Sequence, residues 1–138
     1  MRLKDKVIMI TGGAQGLGEG IARRLASEGG SVVIADMNGS KAEAVAADLK
    51  KKGHRALAVA VDVAERAQVQ AAIRKTVDAY GKLDVMFNNA GFNKPVPFME
   101  VDEANFKSIM RVNAWGVMVC TQEAARQMVA WRQHGLPV

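Results

Sequence analysis

Three times in its first eighty residues the chain passes from a short apolar stretch through a turn into a stretch with helical periodicity, and this alternation restricts the fold more than any other feature. Val7 to Thr11 is an apolar run suited to a buried strand. Glycines break it, and in the "LGEGIARRLASEG" that follows, Leu17, Ile21, Ala22 and Leu25 recur at helical spacing. "SVVIAD", residues 31 to 36, repeats the strand signal. Asn38, Gly39 and Ser40 then read as turn and candidate cap before an alanine-rich helix from about Lys41 to Lys52, which Gly53 stops. "ALAVAVDV" supplies a third strand, and Val69, Ile73, Thr76, Val77 and Tyr80 form the apolar stripe of a helix ending before Gly81. Leu83 to Asn88 is the fourth strand.

No short hairpin turn separates these strands, and each buried strand needs helices over its faces, so the strands are expected to be parallel and joined by right-handed crossovers. The fold class is α/β, a doubly wound parallel sheet. After the loop "AGFNKPVPFMEV", residues from about Asp102 to Ala130 read as helical, with Phe106, Ile109, Met110, Val117 and Ala124 close to one face and a kink near Asn113 or Gly116. No linker or short repeat divides the chain, so residues 1 to 138 are read as one domain.

The composition narrows the functional classes. Of the 138 residues, 49% are apolar and 24% charged, which suits a packed core rather than disorder. No run approaches the roughly 20 consecutive apolar residues of a membrane span, and the start has no signal-peptide pattern, so a cytoplasmic protein without membrane partners is expected. One cysteine, Cys120, leaves no internal disulfide or cysteine-clustered metal site, and as a lone helical cysteine it reads as core. His54, in a turn after Gly53, reads as solvent-facing, and His134 lies far from it, so no metal site is expected. The formal net charge of +5 is spread among acidic residues. That argues against a nucleic-acid partner, while a positive field still favours a phosphate-bearing cofactor.

The glycines after the first strand carry the sharpest chemical signal. Gly12, Gly16 and Gly18 stand where one absent side chain lets the turn fold, one lets backbone approach a pyrophosphate, and one lets the helix close on the sheet. The spacing G-x-x-x-G-x-G differs from G-x-G-x-x-G, and no Lys-Ser/Thr pair follows as in a mononucleotide P-loop. A dinucleotide is the expected ligand. Asp36, at the end of the second strand, is positioned to accept both ribose hydroxyls of an adenosine and to repel a 2′-phosphate, with no basic residue at Gly13, Ala14 or Met37 to compensate. NAD is therefore expected over NADP. A strand simply ending in solvent at Asp36 is the competing reading.

With these pieces placed, the sequence resembles the short-chain dehydrogenase/reductase family from about Leu3 to Met128. "TGGAQGLG" is similar to that family's cofactor loop. The resemblance implies that Thr11 braces the turn, that Gly12, Gln15, Gly16 and Gly18 line the diphosphate, and that Leu17 meets the cofactor through its backbone. Asp36, with Met37 beside it, matches the NAD-selecting carboxylate. Asp62 and Val63 match the pair flanking the adenine, and "NNAG" places Asn89, Ala90 and Gly91 beside the adenosine ribose and central sheet. Asn88 and Asn89 also have a local use at a strand end, where their amides can tie down backbone without any ligand. Asn113 resembles the family's helix asparagine that holds a water in a proton relay, and is the one catalytic candidate; an ordinary hydrogen-bonded or solvent-facing asparagine is the other reading.

The resemblance also implies a Rossmann-like sheet of order 3-2-1-4 and a family chain that continues past Met128. A serine and a Tyr-x-x-x-Lys pair would follow there. Tyr80, the only tyrosine, is followed by Gly81, Lys82, Leu83 and Asp84 and fails that pattern. The chain is thus expected to be a truncated, incomplete cofactor-binding portion, inactive alone, of an enzyme moving hydride between NAD(H) and an alcohol or ketone. Acetoin, butanediol, a sugar alcohol and a hydroxy acid stay open as substrates, with small alcohols and polyols favoured and a steroid less so. A noncatalytic dinucleotide-binding or assembly module is the alternative. The uncovered fourth strand and the helix around Asn113 would leave a monomer marginal, and the family's use of that helix implies a homo-oligomer, dimer or tetramer.

Overall fold

Strand β1 (Val7–Thr11) lies at the middle of a four-stranded parallel sheet, and its five residues are all buried in the computed structural model, which describes residues 1–133. β1 pairs with β2 (Ser31–Asp36) from Val7↔Ser31 to Thr11↔Ala35. β2 pairs in turn with β3 (Ala56–Ala60), and β4 (Val85–Phe87) pairs with the other side of β1, giving the order β3-β2-β1-β4. This is the Rossmann-like doubly wound architecture.

The alternation of side chains along β1 and β2 divides the core into two layers. Ile8, Ile10, Val32 and Ile34 point to the face covered by α1 (Gly16–Ser27) and α2 (Gly39–Lys51), where they meet Ala22, Ala26, Val45 and Leu49. Met9, Val33 and Ala35 point to the opposite face and meet Val69 and Ile73 of α3 (Arg66–Tyr80) and Val119, Cys120 and Ala124 of α5 (Val117–Gln133). A strand covered on both faces must be apolar at every position, which is why β1 and β2 read as continuous runs. Burying each large aliphatic side chain here contributes roughly 1.5–3 kcal/mol.

Local signals set the helix ends. Asn38 accepts a hydrogen bond from Lys41 N at 3.0 Å and caps α2. Gly81 takes φ +80° and ends α3. A buried Glu123 ties α5 to α3 by accepting from Arg66 and from Gln70 Nε2. Burial opposes its charge, but hydrogen bonds from Arg66 and Gln70 and the positive charge of Arg126 prevail and hold its carboxyl below the usual range. Among the described residues no helix is long and apolar enough to cross a membrane.

Several expected boundaries move. β3 stops at Ala60 rather than running through Val63, because Asp62 begins the turn into α3. β4 covers three residues rather than Leu83 to Asn88: Asp84 exchanges hydrogen bonds with Val7, its backbone N–H to the Val7 carbonyl and its carboxylate from the Val7 N–H, before the ladder begins. The expected long helix is broken into α4 (Glu103–Met110), a π-helical turn (Arg111–Gly116) and α5, and the break falls over both residues named for a kink. The apolar face assigned to it does not form one buried stripe. Phe106 and Met110 are exposed, while Ala124 is buried, since α5 packs into the core beside α3 and no residue of α4 joins that cluster. Leu17 is 76% exposed and leaves the α1 stripe. His54 is half-buried rather than solvent-facing, and His134 lies outside the described residues.

Candidate cofactor site

The chain builds β2 and β3 on one side of β1 and returns to build β4 on the other, so the loops leaving β1 and β4 diverge at the sheet's carboxyl edge. That divergence opens a crevice. Buried Thr11 holds its floor: Thr11 Oγ1 accepts from the backbone N–H groups of Asn89 and Ala90, each at 3.0 Å, and donates to the Phe87 carbonyl at 3.3 Å. Asn89 returns the contact, its Nδ2 donating to the carbonyls of Thr11 and Gly12 at 3.0 and 3.2 Å. The two motifs "TGG" and "NNAG" are therefore one hydrogen-bonded unit.

One glycine keeps that unit closed, and a second leaves space beside it. A Cβ on Gly18 would lie 2.1 Å from the Gly12 carbonyl oxygen, so α1 can approach the loop only without a side chain there. Gly16, at φ +56°, differs: a Cβ would meet nothing within 4 Å, because the position faces open space. The N-cap Gln15 makes no side-chain cap hydrogen bond. The first backbone N–H groups of α1 thus have no intrahelical acceptor and no side-chain substitute, and they sit at the positive end of the helix dipole.

Asp36 does not simply end a strand in solvent. Its Oδ2 accepts from Ala14 N at 3.1 Å and its Oδ1 from Asn38 N at 2.9 Å, so the glycine loop and the start of α2 both orient it. A carboxylate has about four acceptor sites, which leaves two for a ligand. Lys41 Nζ donates to Gln15 Oε1 at 2.7 Å and ties α2 to the loop on the same side.

At the next strand end Asp62 Oδ1 accepts from Ala64 N at 2.9 Å, and its Oδ2 accepts from Arg111 at 3.0 Å. Arg111 also reaches Glu65 at 2.5 Å, and the two carboxylates raise its pKa above the ordinary guanidinium value. Asn113 faces the other loop. Its Oδ1 accepts from Phe92 N at 3.0 Å and its Nδ2 donates to the Phe92 carbonyl at 2.8 Å, a two-point clamp on the backbone just past Gly91.

These groups surround a cleft of about 730 Å³. Gly12, Gln15, Gly16, Leu17 and Gly18 line one wall, Asp36, Met37, Asp62 and Val63 the end near β2 and β3, and Asn89, Ala90 and Gly91 the opposite side. Thr11 and Asn113 were expected among the site residues but do not line the cleft; each acts on the backbone that does. Val61, Phe92, Ser108, Arg111 and Val112 line it without having been anticipated. Ser108 at the end of α4 and Arg111 and Val112 at the start of the π turn present one face to the cleft, a juxtaposition that no motif in the sequence signals. Cys120 takes no part. It is buried among apolar neighbours, which push its thiol up to about 11.

A family model for short chain dehydrogenases matches residues 6–136. The chain is 34% identical over 135 residues to the (2S)-[(R)-hydroxy(phenyl)methyl]succinyl-CoA dehydrogenase subunit BbsD of Thauera aromatica, covering 98% of this chain and 54% of that protein. It is 35% identical over 131 residues to the diacetyl reductase [(S)-acetoin forming] of Staphylococcus epidermidis, covering 95% and 51%. Among solved structures, the 3-ketoacyl-(acyl-carrier-protein) reductase of Brucella melitensis complexed with NADH superposes with a TM-score of 0.86 at 37% identity, over 96% of this chain and 54% of that one. The chain spans about half the length of the curated relatives it matches. Glycine loop, sheet order and family match agree: the chain belongs to the short chain dehydrogenase family.

Proposed function

We propose that residues 1–138 form a single dinucleotide-binding domain, the cofactor-holding part of a longer oxidoreductase that moves a hydride between NAD and an alcohol or ketone, with small alcohols and polyols the favoured substrates. The observation that carries this reading is the uncapped start of α1 beside a Gly16 with no neighbour within 4 Å of its Cβ position. A pyrophosphate fits that cradle, because the free N–H groups supply donors and the missing side chain supplies room. Asp36, oriented by two backbone N–H groups and carrying unused acceptor capacity, suits the adenosine ribose hydroxyls. Its charge disfavours a 2′-phosphate at the same place.

When bound, the dinucleotide supplies or accepts the hydride at its nicotinamide ring. The chain's own residues bind and orient it: Asp62 and Val63 at the adenine end, Ala90 and Gly91 along the wall, and the clamp of Asn113 on Phe92 where the nicotinamide half would lie. The substrate hydroxyl needs a proton-exchanging group. Neither tyrosine nor lysine lines the cleft among the described residues, so turnover is assigned to groups supplied with the remainder of a family chain, and residues 1–138 alone are expected to bind without turnover. That same lack favours the second reading, a dinucleotide-binding module with no chemistry of its own. The exposed Phe106, Met110, Trp115 and Met118 support a homo-oligomer formed through this region.

Titration of NADH and NADPH by the cofactor's own fluorescence tests the reading. NADH is expected to bind at least about tenfold more tightly, a difference of about 1.4 kcal/mol. Equal affinities, or no binding, would overturn it. Turnover with NAD and a panel of small alcohols at native length separates the enzyme from the module.

A further inference from the structure

Arg111 enters no motif of the dinucleotide fold, yet it meets the acidic end of the cleft at two points. It stands first in the π-helical turn Arg111–Gly116, which touches the β3–α3 connection at three places. Arg111 reaches the carboxylates of Asp62 and Glu65, Trp115 Nε1 donates to the Ala64 carbonyl at 3.1 Å, and Gly116 packs so closely on Val63 that a Cβ would lie 2.6 Å from Val63 Cγ2. The wider π turn brings residues 111, 115 and 116 to one side, while Asn113 faces Phe92. A single turn of helix therefore fixes residues 62 to 65 at one end of the cleft and residue 92 at the other.

Resting on the dinucleotide reading above, we infer that Arg111 is a positioning residue that makes the cleft selective for a 6-amino purine, through its hold on Asp62. The carboxylate of Asp62 faces the cleft with 20% of its side chain exposed, and its two oxygens are oriented by different donors, Ala64 N and Arg111. So fixed, it presents acceptor capacity only. An exocyclic amine donates to it, whereas a 6-oxo purine brings an oxygen against an oxygen. Without Arg111, Oδ2 loses its anchor, and the carboxylate is left with one backbone donor and freedom to turn away. Discrimination then falls even though Arg111 itself need not touch the base.

The test compares NADH with its hypoxanthine analogue, in which the amine is replaced by a carbonyl, on the wild-type protein at native length, Arg111→Met and Arg111→Lys. The wild type is expected to prefer NADH. Arg111→Met should weaken NADH by about fivefold, the scale of a partly exposed ion pair, while leaving the analogue nearly unchanged, so that the ratio collapses. Arg111→Lys, which keeps a charge near Asp62, should recover part of the ratio. General damage to the fold would weaken both ligands alike and leave the ratio intact, and that result, or an unaltered ratio in a folded variant, would overturn the assignment to Arg111. Failure of the wild type to bind either ligand would instead overturn the dinucleotide reading, and with it this one.

Discussion

β1 and β4 lie side by side in one sheet and contribute the two walls of the same cleft, yet they are built differently. Every residue of β1 is buried between two layers of helix, and β2 covers its other edge. β4 pairs on one edge over three residues, Val85 and Phe87 are 38% and 39% exposed, and the residues that follow it from 91 to 100 are all exposed. The difference teaches how the site divides its work. The glycine loop that would hold the phosphates projects from the most tightly fixed strand, where a backbone cradle keeps its geometry. The wall beside Phe92 rests on a thin edge and takes its order from side-chain clamps, Thr11 beneath and Asn113 behind.

The two close-packed glycines give the largest contrast. Gly18→Ala sets a Cβ 2.1 Å from a backbone carbonyl in the fixed half, and it should lower unfolding free energy by about 3 kcal/mol or more and abolish NADH binding. Gly116→Ala meets a valine methyl at 2.6 Å, where the π turn packs on the β3–α3 connection, and should cost about 1–2 kcal/mol, because a side chain can give where a carbonyl cannot. Urea denaturation of both variants measures the difference. Equal losses would remove the contrast.

Thr11→Val probes the seam between the halves. It keeps the shape but leaves the Ala90 N–H without the acceptor that Oγ1 provides and the Asn89 N–H with only the Phe87 carbonyl. The expected loss is about 2 kcal/mol, with NADH affinity falling as the "NNAG" wall loosens, since buried donors left unpaired cost about 1–3 kcal/mol each unless water reaches them. Unchanged exchange rates for amides 89 to 92 in the variant would break the claim that Thr11 holds the wall.

The smallest effect concerns the layer under α5. Burial raises the Cys120 thiol from 9.0 to about 11, so as pH rises past 9 the unfolded chain gives up its proton before the folded one does. Stability should therefore be full below about pH 9 and decline between 9 and about 11. Cys120→Ala should flatten that alkaline slope, as read by denaturant midpoints across the range.

The same contrast explains what the sequence makes legible. Where strands are buried on both faces, the pattern is local and continuous: Val7 to Thr11, Ser31 to Asp36 and the glycines between them identify strand, turn, helix and cradle without knowledge of anything distant. Asp36 is legible by its position alone, although its bonds to Ala14 and Asn38 are not. At β4 the pattern misleads, because Leu83 is buried beneath the sheet while Asp84 spends its polar groups on Val7. The wall formed by Ser108, Arg111 and Val112 escapes a linear reading, since it depends on where a π turn carries α4 over the residues after β3. Asn113 stands out as a polar residue within a helical run, but its partner at Phe92 follows from the fold.

Hydrogen exchange with and without NADH tests most directly the claim that this cleft holds the dinucleotide. The account predicts added protection at residues 12 to 18, 36 to 38, 62 to 64 and 89 to 92, with no change along the exposed face of α5 from Gln122 to Gln133. Protection confined to α5, or none at the glycine loop under saturating NADH, would contradict it.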